Sequence, residues 1–219
     1  MDFFLSNIDV FVTAIWQTLF MVFVSMVVAG IIGLALGIAL YITRPGNLLS
    51  NRTVFTVLNV IVNIIRPIPF VIFITAINPL TTKVVGTTIG PSAAAFALSL
   101  AASFAVSRIV EQSLVGIEPG VIEAARAVGA GPWRIIVTIL IPEGLGPLIL
   151  GYSFIFVGIV DMSAQAGIIG GGGLGDFAVA YGSQRYNWPV VYITVATIVV
   201  LVQLGQFLGN YLARKALRR

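Results

Sequence analysis

Apolar positions along this chain come in long runs rather than in the amphipathic rhythm of a soluble helix or strand. Val10 to Thr43 contains no charged residue. A bilayer core about 30 Å thick needs about 20 apolar residues in helical form. Five runs reach that length, and they predict spans over about 13–42, 54–77, 91–110, 134–160 and 189–212. Turn chemistry separates them: Arg44-Pro45-Gly46-Asn47 follows the first and Asn78-Pro79 the second, while Pro91, Pro132 and Pro189 stand near the starts of the others. The expectation is an all-α integral membrane protein, a single domain over 1–219 with five transmembrane helices. Met1-Asp2-Phe3 brings no basic residue and the first run is too long for a cleavable signal, so it reads as a retained span.

Composition removes the alternatives. Of 219 residues, 58% are apolar and 9% charged, with a mean hydropathy of +1.06. Soluble domains carry about 25% charged residues. A soluble globule of this size could not hide so much apolar surface, so membrane lipid is the expected solvent. A soluble enzyme, a disordered chain and a disulfide scaffold are excluded. With no Cys and no His, thiolate chemistry is absent and near-neutral acid–base catalysis lacks its commonest residue.

The few charges give an orientation. Arg44 and Arg52 follow the first span, Arg126 and Arg134 lie between the third and fourth, and Arg214, Lys215, Arg218 and Arg219 close the chain. Alternating spans put all of these on one side, opposite Lys83, Arg185, Asp2, Asp9 and Asp176. The positive-inside rule then expects the N-terminus outside and the C-terminus in the cytoplasm. The net charge of +4 is topological on this reading, and no nucleic-acid partner is expected.

Polar and small residues within the spans point to packing and passage. Ala29, Gly33 and Gly37 form a small-residue seam, against either a helix of the same chain or a second subunit. Ser99, Ser103 and Ser107, and likewise Gln203, Gln206 and Asn210, form stripes expected to face protein. In the second span Asn59, Asn63 and Arg66 share a face, with Arg66 near the centre, where a charge costs at least ~2.5 kcal/mol. Pro67 and Pro69 break the helix there. This face either lines a solute path or pins a neighbouring helix. A second polar patch, Asp161 to Gly167, includes Met162, Ser163 and Gln165 and leads into the glycine run Gly170 to Asp176. The run is expected to be a non-helical segment dipping between the last two spans, or an external connector.

Two motif matches in that run fail on context. Gly170, Gly172 and Gly175 have dinucleotide-binding spacing, but no strand precedes them. Gly173-Leu174-Gly175-Asp176 spells the G-x-G-D of intramembrane aspartyl proteases, with Asp161 as the second carboxylate. That chemistry needs carboxylates converging from two packed helices, and only one glycine-rich segment separates this pair.

Between the third and fourth spans, residues 119–129 predict a short amphipathic helix. Pro119 suits its first turn, Val121, Ile122, Ala125 and Val128 its apolar face, and Gly129 its end. One basic residue, Arg126, is too little for a lipid anchor, so docking into another protein is expected.

Here the chain resembles the EAA loop of ABC importer permeases: Glu123-Ala124-Ala125, three residues, Gly129, nine residues, then Ile139-Leu140-Ile141-Pro142, with Ile-Pro for the family's Leu-Pro. The resemblance implies the type I importer permease fold, with Glu123, Ala124, Ala125 and Gly129 on a coupling helix seated in a cytoplasmic ATPase. Arg66 to Phe70, Val85 to Pro91, Gly170 to Asp176, Tyr181 to Tyr186 and Gln203 to Gly209 resemble the methionine importer permeases, which covers nearly the whole chain. That resemblance implies a homodimer in a bacterial cytoplasmic membrane, working with two ATPase subunits and an extracellular substrate-binding lipoprotein. It also implies a multi-pass transporter subunit that is not itself an enzyme. No cofactor is expected on this chain, since ATP and Mg belong to the partner ATPase. The expected solute is methionine; another compact solute, a polar amino acid or a quaternary ammonium osmolyte, is the alternative. Where these permeases read Gly-Tyr-Ser-Ala-Met-Ala-Gly, this chain has Asp161 to Gly167, with polar Asp161 and Gln165. Asn63, Arg66, Asp161, Met162, Ser163 and Gln165 are the candidate lining of the path.

Overall fold

A computed structural model describes residues 7–217. Met1, Asp2 and Phe3, and Arg218 and Arg219 of the basic tail, lie outside the described residues. The described elements are helical: α1 (Ile8–Thr43), α2 (Arg52–Ile65), α3 (Phe70–Ala76), α4 (Asn78–Val85), α5 (Pro91–Val115), α6 (Pro119–Ala127), α7 (Pro132–Gly171), α8 (Gly173–Phe177) and α9 (Trp188–Leu217). By length and hydropathy, α1, α5, α7 and α9 can each cross a membrane, and α2 with α3 forms a fifth, bent candidate.

The 36 residues of α1, of which only Asp9 is charged, make a rod of roughly 54 Å at 1.5 Å per residue. It packs along α5. The seam Ala29, Gly33 and Gly37 belongs to this contact inside the chain, because a Cβ on Gly37 would lie 2.5 Å from Cβ of Val110. The serine stripe of α5 faces the same interior. Ser99, Ser103 and Ser107 are buried and donate to the carbonyls of Ala95, Ser99 and Phe104 at 2.6, 2.7 and 2.8 Å. Buried hydroxyls at membrane depth need such partners, and the preceding helical turn supplies them.

The second span divides where its prolines fall. α2 and α3 meet at 109° across Arg66 to Pro69. Asn51 caps α2, its side chain accepting from the Val54 N–H at 3.1 Å. α3 anchors Phe70, Phe73 and Ile74 in a cluster with Met21 and Leu98. α2 itself buries only Val62.

α7 opens with one ordinary turn, widens into a π turn over Ile136–Leu140, and continues as α-helix from Ile141 to Ala166. The wide turn stands immediately before Pro142, whose ring crowds the preceding turn and which has no N–H to give. The helix runs beyond Val160, so Asp161, Met162, Ser163 and Gln165 are helical positions.

The glycine run is more helical than its composition predicts. Regular geometry fails at Ile169 (φ −106°), Gly170 (φ +97°) and Gly172 (φ +73°), and the short helix α8 follows at once. Tertiary contacts supply the order that glycine lacks. The Gly173 N–H donates to Gln17 Oε1 at 2.7 Å and the Leu174 N–H to Thr18 Oγ1 at 2.9 Å, both on α1. Phe177 packs against Phe11, and a wide turn over Ala178–Gly182 then leads towards α9. α9 lies on α7, with Gly205 over Phe156 and Gly209 over Ser153. Its polar stripe departs from expectation: Gln203 and Asn210 are exposed and Gln206 half-buried, so this chain alone does not cover them.

Candidate functional site

Two regions gather the candidate residues. The first is the end of the bundle where α1 and α5 finish. Only Gly116, Ile117 and Glu118 separate α5 from α6. α6 is amphipathic, burying Ile122 and Ala125 in the core that contains Leu114 and Ile135. Glu123 and Ala124 stay exposed. Ala124, Ala125 and Gly129 line a hollow of about 600 Å³ together with Val128 and Arg134. Glu123 faces another side of the helix, where it lines a hollow of about 260 Å³ with Arg44, Asn47 and Arg126. Gly129 ends the helix at φ +81°, and no neighbouring side chain crowds it.

The second region lies around the bend of α2. Arg66 stands exposed at the C-terminal end of this helix, where the chain turns into α3. Asn63 and Asn59 do not join it. Instead both amide oxygens accept from the Arg108 guanidinium of α5, Asn63 at 2.6 Å. Arg108 also forms an ion pair with Glu111 at 2.5 Å, and Glu111 is only 6% exposed. A buried charge is costly unless paired, and Glu111 and Arg108 supply each other's opposite charge one turn apart. The cluster opens onto a hollow of about 390 Å³ that Arg44 and Phe55 also line. Arg108 and Glu111 escaped the pattern reading. Their sequence signal is Arg108-Ile109-Val110-Glu111, opposite charges three residues apart where the third apolar run is still helical.

On α7 the polar patch is split. Asp161 is exposed and accepts a hydrogen bond from Gln165 Nε2 at 2.9 Å, an i,i+4 pair along one face. Ser163 is buried and donates to the Val160 carbonyl at 2.7 Å. Met162 is half-buried and packs against both larger cores. Among the described residues no three His, Cys, Asp or Glu side chains come together as metal ligands.

A bundle of apolar helices, one broken beside a polar cluster, with a short amphipathic helix at one end, defines a multi-span membrane protein. Residues 31–218 match the family described as binding-protein-dependent transport system inner membrane component, and the chain belongs to that family. It is 40% identical over 214 residues to the probable D-methionine transport system permease protein MetI of Vibrio cholerae, covering 98% of this chain and 95% of that one. With the D-methionine transport system permease protein MetI of Escherichia coli K12 it shares 40% identity over 156 residues, 71% of this chain and 72% of the relative. Among solved structures, an inward-facing form of the MetNI methionine ABC transporter superposes with a TM-score of 0.94 at 38% identity, over 96% of this chain and 98% of that one. An amino acid ABC transporter crystallised with histidines shares the fold at a TM-score of 0.79 and 20% identity, over 96% of each chain.

Proposed function

We propose that this chain is the transmembrane permease subunit of an ATP-driven importer that carries methionine across the bacterial cytoplasmic membrane. The observation that carries this reading is the likeness, over 96% of the chain and at a TM-score of 0.94, to a methionine ABC transporter. The chain is a transporter subunit, and ATP with Mg is held by a partner ATPase. The full assembly on this reading is a permease homodimer, two cytoplasmic ATPase subunits and an extracellular substrate-binding lipoprotein. The second permease copy accounts for the uncovered polar stripe at Gln203, Gln206 and Asn210.

The N-terminus lies outside and the C-terminus inside, following the basic residues Arg44, Arg126, Arg134, Arg214 and Lys215. This puts α6 in the cytoplasm as the coupling helix. Its exposed Glu123 and the shallow surface formed by Ala124, Ala125 and Gly129 are the ATPase contact. ATP-driven closure of the ATPase pair draws the two α6 helices together and opens the spans outward. The receptor then releases its solute between the two permeases. Such a cycle works only because nucleotide and receptor bind the two states with different affinities.

Asn63, Arg66, Asp161, Met162, Ser163 and Gln165 are the proposed path lining, with Asn63, Arg66 and Asp161 the exposed members. The Asp161–Gln165 pair favours the alternative solute class, a more polar amino acid or a quaternary ammonium osmolyte. Uptake of radiolabelled methionine by the reconstituted complex, competed with a panel of amino acids and betaine-like compounds, decides between them. Competition by unlabelled methionine alone supports the first reading. Stronger competition by a polar amino acid or an ammonium osmolyte supports the second.

A further inference from the structure

The Arg108 cluster joins two helices. On one side is α5, which continues through three residues into α6. Ile122 and Ala125 of α6 lie in the same buried core as Leu114 near the end of α5. A displacement of α6 therefore displaces the last turns of α5, where Arg108 and Glu111 lie. On the other side is α2, the helix that leads into the 109° bend.

α2 touches α1 as well as α5 but is anchored by few buried side chains. It buries a single side chain, Val62, and most of its apolar positions face outward. The guanidinium of Arg108 reaches both Asn59 and Asn63, one helical turn apart, so it grips α2 at two heights. Glu111 holds the same guanidinium from beneath through its other nitrogen. Anchoring a helix needs no charge at this depth, because well-packed apolar side chains serve as well or better. One terminal nitrogen of the planar guanidinium donates to both amide oxygens while the other is held by Glu111, so the group fixes the register of α2 against α5 in a way that apolar packing does not.

Resting on the importer reading above, we infer that Arg108 is a positioning residue that couples α6 to the bend of α2. Movement of α6 passes through α5 and Arg108 to Asn59 and Asn63, and α2 swings at Arg66 to Pro69 as one body with α5. Glu111 keeps the guanidinium aimed at α2.

The test uses the complete complex with its receptor in proteoliposomes. Arg108→Gln is expected to lower methionine uptake at least tenfold while receptor-stimulated ATP hydrolysis stays within twofold of the parent. Arg108→Lys, which keeps the charge but not the fork, falls between. Since the chain has no Cys, spin labels on Ile64→Cys in α2 and Val115→Cys in α5 report the helix pair directly. With one labelled protomer per complex, their distance is expected to be the same in nucleotide-free and ATP-trapped states of the parent. In Arg108→Gln it should broaden and change with nucleotide. Unchanged uptake per ATP together with an unchanged label distance in Arg108→Gln overturns the inference. If Arg108→Gln does not assemble, Asn59→Leu, which leaves the Arg108–Glu111 pair intact, is judged by the same two readouts. A parent complex that imports no methionine refutes the solute assignment instead, and the label distances still decide the role of Arg108.

Discussion

A Cβ placed on Gly33 would lie 2.4 Å from Cβ of Val106 and 2.9 Å from the Ser103 carbonyl oxygen, so α1 and α5 meet with no room for a methyl group. In lipid, where apolar association carries little hydrophobic driving force, close backbone approach is a principal source of helix affinity. Gly33→Leu should therefore overpack the seam, at about 1–3 kcal/mol. The expected result is a lower Tm of the detergent-solubilised permease. A loss of dimer at unchanged Tm would show that this surface belongs to a subunit contact instead.

The glycine run depends on α1 for its shape. Gln17→Leu removes the acceptor of the Gly173 N–H and leaves that group unpaired in a part-buried site. The cost is about 1–3 kcal/mol. Hydrogen exchange at residues 173 and 174 should quicken about tenfold or more, since each 1.4 kcal/mol is a factor of ten. Exchange at the parental rate would mean that the glycines hold this conformation without help from α1.

At the coupling surface, Glu123→Arg reverses a charge on an exposed position and leaves the buried Ile122 and Ala125 untouched. Gly129→Asp adds a carboxylate and forces a side chain at φ +81°. Both should weaken association with the ATPase while the permease elutes as the parent does on size exclusion. Full ATPase co-purification with both variants would remove α6 as the contact.

The Asp161–Gln165 pair on α7 offers a test of selectivity. Asp161→Gly with Gln165→Met restores the residues found in the resembling permeases and removes the 2.9 Å hydrogen bond. If these side chains line the path, competition by polar amino acids should fall several-fold relative to methionine. An unchanged competition profile would take both residues out of the path.

Much of this architecture is legible in the chain because lipid imposes strict rules. Runs such as Val10 to Thr43 have no other stable fate, and Pro67 with Pro69 marks the break in the second span. What escaped depends on which helices meet. Ala29, Gly33 and Gly37 could serve an intrachain or an intersubunit contact until α5 was seen against them. The partner of Asn59 and Asn63 stands 45 to 49 residues away, a relation that no local pattern encodes. The charges of Arg108 and Glu111 were masked by the apolar residues around them. The order in the glycine run likewise comes from Gln17 and Thr18, 156 residues distant. The polar patch at Asp161 lies on a helix because α7 carries its hydrogen-bonding through a stretch whose composition suggests a stop.

Proteoliposomes containing the permease, its ATPase and its receptor should accumulate radiolabelled methionine only with internal ATP and external receptor, and Glu123→Arg should abolish that uptake. Methionine flux from this chain alone, independent of ATP, would identify a stand-alone channel and contradict the importer reading.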